Sequence, residues 1–150
     1  MPQSFCQIYG HLVFSTKLRH RWLDVNLRAE LHAYLAGALR KMECADVHIG
    51  GTDDHVHALF LLSKKVAPVT LVQELKQSSS KHIKTLSSEH GVFAWQRGYA
   101  LFSVSPTARA AVRRYIEKQE EHHRHATFQD ELRELLKKAG LKFDECYLWD

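Results

Sequence analysis

Apolar positions along the chain switch between a period of two and a period of three to four, and the switches outline its elements. Phe5 to Phe14 (FCQIYGHLVF) is rich in aromatic and β-branched residues and predicts a strand. Lys17 to Arg21 (KLRHR) is a basic loop. Asp24 suits the cap of a helix in which Leu27, Leu31, Tyr34, Leu35, Ala38 and Leu39 recur at helical spacing. Cys44 to Gly50 predicts a second strand, Gly51-Thr52-Asp53-Asp54 a turn, and His55 to Leu62 a third strand, together a hairpin. Pro68 or Thr70 opens a second long helix to about Leu86, with Leu71, Val72, Leu75 and Ile83 inward. Tyr99 to Val104 predicts a fourth strand. Ser105-Pro106 starts a third helix to about His123. Thr127 and Asp130 form a capping-box pattern for a short fourth helix ending at Gly140. The final FDECYLWD is apolar enough to dock.

The order β-α-β-β-α-β matches the split β-α-β of ferredoxin-like sheets. The expected class is therefore α+β: an antiparallel βαββαβ sheet with helices on one face, then a tyrosine-bearing helix and a short tail helix. No repeat or linker divides residues 1–150, so one domain is expected.

Charge changes this picture modestly. The net charge is +4. Residues 129–150 carry four basic and six acidic side chains, so the positive excess lies in the body, where it suits nucleic acid without identifying it. Cys6, Cys44 and Cys146 are odd in number and widely spaced, which does not suggest a disulfide framework, and free thiols are expected. No apolar run is long enough for a membrane span, and MPQSFCQIYG lacks the look of a signal peptide, so a cytoplasmic location is expected.

The chemistry concentrates in DDHVHALF, Asp53 to Phe60. On a strand His55 and His57 project to one side and Val56 to the other. Two adjacent imidazoles make half of a metal site or a double donor to phosphate. With 11 histidines in the chain, the motif also has a plain reading as coincidence. A histidine-triad hydrolase would need a third histidine at the position of Leu59. A two-histidine phosphodiesterase would need two H-x-T/S motifs. A structural zinc site would need four ligands. A metal here would therefore keep open positions and take its third ligand from elsewhere. In RRYIEKQEEHH, Arg113 to His123, Tyr115 and Gln119 are four apart and share a helix face that continues Ala108, Ala111 and Val112. That face is expected to pack on the sheet, where a glutamine needs a partner. A tyrosine at the edge of a core explains the same pattern. HHRH, His122 to His125, reads as the polar helix end.

H-x-H on a strand followed by a helical Y-x-x-x-Q resembles the single-tyrosine HUH transposases of small bacterial insertion sequences, and their relatives associated with repeated extragenic palindromes. HLVFSTKLR, LVQELKQSSSKHIK, WQRGYALFSVS and VRRYIEKQEEHH fit the same family in the same order. The resemblance implies an endonuclease and strand transferase on single-stranded DNA marked by hairpins. Tyr115 would be the nucleophile, forming a 5′-phosphotyrosine link. His55, His57 and Gln119 would hold magnesium or manganese. It also implies a homodimer in which each tyrosine helix completes the partner's site. Lys118 departs from the asparagine many relatives carry there.

Lys17, Arg19, Arg21, Lys76, Lys81, Lys84 and Arg97 are candidate phosphate contacts, and Trp95 a candidate base platform. Three readings compete with transposition. One is an RNA-recognition module, which would want exposed aromatics where His55 and His57 stand. Another is a domesticated hairpin-binding relative. The third is a phosphodiesterase that uses water, with Tyr115 merely structural.

Overall fold

The computed structural model describes residues 2–149. Four strands form one antiparallel sheet in the order β2-β3-β1-β4: β1 is Tyr9–Ser15, β2 Ala45–Gly51, β3 His55–Leu61 and β4 Ala100–Val104. Helices α1 (Val25–Lys41) and α2 (Pro68–Leu86) make the two crossovers. The later helices are α3 (Arg109–Glu117), α4 (Gln119–His122), α5 (Phe128–Lys138) and α6 (Glu145–Leu148). This is the expected ferredoxin-like topology. Among the described residues, no helix is long and apolar enough to cross a membrane.

Period-two patterning divides the central strands between two layers. Leu12, Phe14, Val56, Ala58 and Phe60 face α1 and α2. They join Leu31, Leu35, Leu71, Leu75 and Ile83 in the main core. The opposite face holds a smaller apolar cluster of Val13, Phe128, Leu132 and Leu136, with Phe143, Leu148 and Trp149 against it. The chain end therefore docks, as its composition suggested. Asp150 lies outside the described residues. The crossover helices share one face; the C-terminal helices cover the other. Between those helices and the sheet lie His11, His55 and His57, all buried. Polar groups removed from water must find partners there.

Local signals hold at most boundaries. Asp24 accepts a hydrogen bond from the Leu27 amide at 2.9 Å, and Thr127 from the Asp130 amide at 3.2 Å. Two expectations need correction. The first strand begins at Tyr9 rather than Phe5, because Tyr9 pairs with Leu61 and Val104, the last residues of β3 and β4. Phe5 lies beyond both neighbours and is exposed. The third helix is not continuous to His123. It starts at Arg109 and breaks at Lys118 (φ −102°, ψ 21°) before α4.

The face of α3 also differs from expectation. Ala111 is exposed and Ala108 and Val112 are half-buried; Ile116 is the buried residue. Gly50 explains why the sheet admits it. A Cβ at Gly50 would lie 2.4 Å from the Ile116 carbonyl oxygen and 2.6 Å from its Cγ2. The missing side chain lets the tyrosine helix approach β2.

Candidate active site

His57 opposes Val13 and His55 opposes Ser15, so the register aims both imidazoles toward the C-terminal helices, as the H-x-H pattern predicts. Both are fully buried. Each ring is held at its far nitrogen. His55 Nδ1 lies 2.7 Å from Asp54 Oδ1, and His57 Nδ1 lies 2.8 Å from His11 Nε2. Holding the remote nitrogen fixes ring orientation and tautomer.

Gln119 reaches the site despite the break at Lys118. Its Oε1 lies 2.9 Å from His55 Nε2 and 3.1 Å from His123 Nε2. The amide is buried, and Tyr115 lies on the same side, both donating to Glu131 Oε2. The ring centroids of Tyr115 and His57 are 5.7 Å apart.

A residue that the sequence reading missed occupies the centre. Glu131, on α5, is 4% exposed. Its Oε1 lies 2.9 Å from His57 Nε2, 3.2 Å from His123 Nε2 and 3.4 Å from His55 Nε2. Its Oε2 accepts hydrogen bonds from the Tyr115 hydroxyl and, at 3.0 Å, from the Gln119 Nε2 amide. In the sequence Glu131 is one of two acidic residues in the first turn of α5. The available signal was its position on the inward face with Phe128 and Leu132, where a carboxylate is costly unless paired.

Burial and charge act against each other here. Burial would push the Glu131 carboxyl up, but hydrogen bonds from His123, His55 and His57 outweigh it and hold the group well below the usual carboxylate range. Burial opposes a charged His55, yet hydrogen bonds to Asp54 and Glu131 raise it to about 9. His57 is lowered, chiefly by burial, and His11 falls to about 3 by burial and the neighbouring His57. The Tyr115 phenol is pushed up by burial and by the adjacent Glu131 charge. Two imidazole nitrogens, an amide oxygen and a carboxylate oxygen converge, a mixed donor set that fits a divalent metal ion.

A protein-family model described as "Transposase IS200 like" matches residues 4–119. The chain belongs to the IS200-like transposase family. The match covers the histidine pair, Tyr115 and Gln119 and stops short of Glu131. Two solved structures share the fold. A "putative transposase" from Deinococcus radiodurans R1 is 24% identical, with a TM-score of 0.62 over 79% of this chain and 98% of that one. A REP-associated tyrosine transposase bound to a REP hairpin is 11% identical, with a TM-score of 0.60 over 82% of this chain and 73% of that one. No curated protein matches the chain.

The transposase chain distributes the remaining candidates unevenly. Lys81, Lys84 and Arg97 line an open groove of about 710 Å³ with Gln77, Ser80 and Tyr99. Lys76 borders that groove, but its Nζ donates to the carbonyls of Gln96 (2.8 Å), Arg97 (3.2 Å) and Gly98 (2.5 Å). Burial lowers it to about 8. Trp95 is buried against Phe14 and Phe93, and its indole N–H donates to Ser79 Oγ at 3.0 Å. Its faces pack in the core and do not offer a base platform; Tyr99 is the exposed aromatic at that groove. Lys17 and Arg19 sit in a short 3-10 turn after β1. Arg19 lies over the Trp149 ring at 5.6 Å, and Arg21 is 3.7 Å from Asp53.

Proposed function

We propose that this family member cuts and rejoins single-stranded DNA at hairpin-marked element ends through a 5′-phosphotyrosine intermediate on Tyr115. The observation that carries the reading is the meeting of the Tyr115 hydroxyl, the His55–His57 pair and Gln119 around one buried carboxylate.

Tyr115 donates its hydroxyl hydrogen to Glu131, which sits ready to take that proton as the phenol oxygen attacks phosphorus. The new bond joins phosphorus to the tyrosine oxygen. The bond from phosphorus to the 3′ oxygen breaks, and that oxygen takes the proton back from Glu131 to leave as a 3′-hydroxyl. A later 3′-hydroxyl reverses the exchange and frees Tyr115, so no ATP is consumed. His55, His57 and Gln119 would hold magnesium or manganese. Such an ion would neutralise charge developing on the phosphate oxygens.

We assign the chemistry to one domain spanning residues 1–150, acting on cytoplasmic DNA. Lys81, Lys84 and Arg97 are the proposed strand contacts, with Lys17, Arg19 and Arg21 after β1 as a second set; Arg19 and Arg21 line a groove with Asp54 and His123. The groove loop is tied to the site: Gln96 Oε1 accepts from the Ser15 amide at 2.7 Å, and Ser15 opposes His55. A homodimer follows from the family resemblance.

The test is a denaturing gel of the protein with labelled single-stranded DNA from the ends flanking its gene, with magnesium or manganese. A metal-dependent adduct on the 5′ side of the cut, absent in Tyr115→Phe and His57→Ala, is expected. Cleavage without an adduct that survives Tyr115→Phe would identify a hydrolytic phosphodiesterase. Binding without cleavage would identify a hairpin-binding module.

A further inference from the structure

We infer that Tyr99 is a base-stacking platform: its ring takes one unpaired base of the bound strand in the groove between α2 and residues 93–99, while the cations beside it hold the phosphates. The inference rests on the single-stranded DNA reading above. It gives Tyr99 the role that the residue pattern had offered to Trp95.

The make-up of the groove is the first argument. The α2 residues that line it, between Val69 and Lys84, recur at spacings of three and four, so one face of about 22 Å of helix forms a wall. Lys81, Lys84 and Arg97 make the groove cationic. Phosphate contacts alone would ask for nothing more. Yet Val69 is 61% and Tyr99 41% exposed in the same groove. A nucleotide brings both complements at once, an anionic backbone and a flat apolar base. Cations lining a groove with an aromatic face are the recurring equipment for single strands. Phe93 and Trp95 also line this groove, but both are buried, and the Trp95 indole is committed to Ser79. The accessible aromatic surface is that of Tyr99.

The platform is held in place before any strand arrives. Lys76 Nζ donates to the carbonyls of Gln96, Arg97 and Gly98, the three residues leading into Tyr99. The same ammonium lies over the Tyr99 ring, 5.8 Å from its centroid. A preset ring loses little freedom on binding, which favours affinity. The loop is also joined to the chemistry. The Gln96 amide donates to the Ser15 carbonyl at 2.9 Å, and Gln96 Oε1 accepts from the Ser15 amide at 2.7 Å. Ser15 opposes His55 in the sheet. A base on Tyr99 therefore stands in a fixed relation to the strand that carries the histidine pair.

The test is fluorescence anisotropy of the full chain with labelled oligodeoxythymidylate and with an abasic strand of the same length. A chelator is present, so that binding is read without cleavage. Tyr99→Ala is expected to weaken thymidylate binding by about tenfold and to leave abasic binding within about twofold of the parent. Tyr99→Leu, which keeps apolar bulk without a ring, should follow Tyr99→Ala; Tyr99→Phe should match the parent. Circular dichroism checks that each variant folds. Tyr99→Ala should leave the salt dependence unchanged, whereas Lys84→Ala should reduce it. Folded Tyr99→Ala and Tyr99→Leu that bind thymidylate as the parent does would overturn the inference. So would an equal loss of affinity for both strands. In either case a parent that still forms the covalent adduct leaves the transposase reading standing. A parent that binds neither strand and forms no adduct removes both.

Discussion

Glu131 Oε1 lies 2.9 Å from His57 Nε2, joining a C-terminal helix to the central strand of the sheet across 74 residues of sequence. The contact binds the tail of the chain to the histidine pair. Its partners make Glu131 a structural hub as well as a candidate participant in the chemistry.

Removing that charge should therefore loosen the fold before it touches any reaction. Glu131→Ala in the metal-free protein leaves several imidazoles without their shared acceptor. We expect a loss of about 3 kcal/mol, the scale for breaking a buried ion pair. Urea unfolding measures it. A loss below about 0.5 kcal/mol would mean the carboxylate is dispensable to packing.

Tyr115→Phe should separate folding from chemistry. It deletes one hydroxyl that donates to Glu131, worth about 1 kcal/mol of stability. Adduct formation should be abolished, because phenylalanine has no oxygen to bond phosphorus. Binding of single-stranded DNA, followed by fluorescence anisotropy, should change little.

Gly50→Ala should act through geometry alone. The added methyl meets the Ile116 carbonyl at 2.4 Å, so α3 must shift and carry Tyr115 with it. We expect destabilisation of about 2 kcal/mol and slower adduct formation, read from unfolding curves and a time course of the covalent product. An unchanged rate would show that the tyrosine helix tolerates displacement.

Acid should weaken the fold through His32. Burial, aided by the Arg28 charge, lowers its pKa from 6.5 to about 4. Between those values the unfolded chain binds the proton and the folded chain does not. The stability contribution is complete above about pH 6.5 and is lost as pH falls toward 4. The slope cannot exceed about 1.4 kcal/mol per pH unit for one group, and partial exposure reduces it. Comparing urea midpoints of the parent and His32→Leu at pH 7.5, 6 and 5 isolates the effect. Parallel pH dependences would refute it.

The basic groove should reveal itself by salt. Lys81→Ala with Lys84→Ala should weaken single-stranded DNA binding and reduce the slope of log affinity against log salt by about 0.7 per lost phosphate contact. Lys76→Ala should instead lower thermal stability, because its ammonium holds three backbone carbonyls. Anisotropy across a salt series, with melting curves for Lys76→Ala, tests both statements.

Much of this protein was determined locally. Period-two and period-3.6 patterning placed the four strands and the crossover helices. Asp24 and Thr127 marked their helix starts, and strand alternation put His55 and His57 on one face. Those features depend on neighbours within a few residues, so the chain displays them directly. Tertiary packing decided the rest. Tyr9 begins its strand because the neighbouring strands end opposite it. Trp95 and Lys76 carry surface-like or DNA-like residue types, yet packing and backbone carbonyls recruit them inward. Glu131 is an ordinary acid in its helix until α5 lies on the sheet and places it among His55, His57, His123 and Gln119. The cost of burying an unpaired charge makes that meeting consequential, and nothing within a few residues of Glu131 announces it.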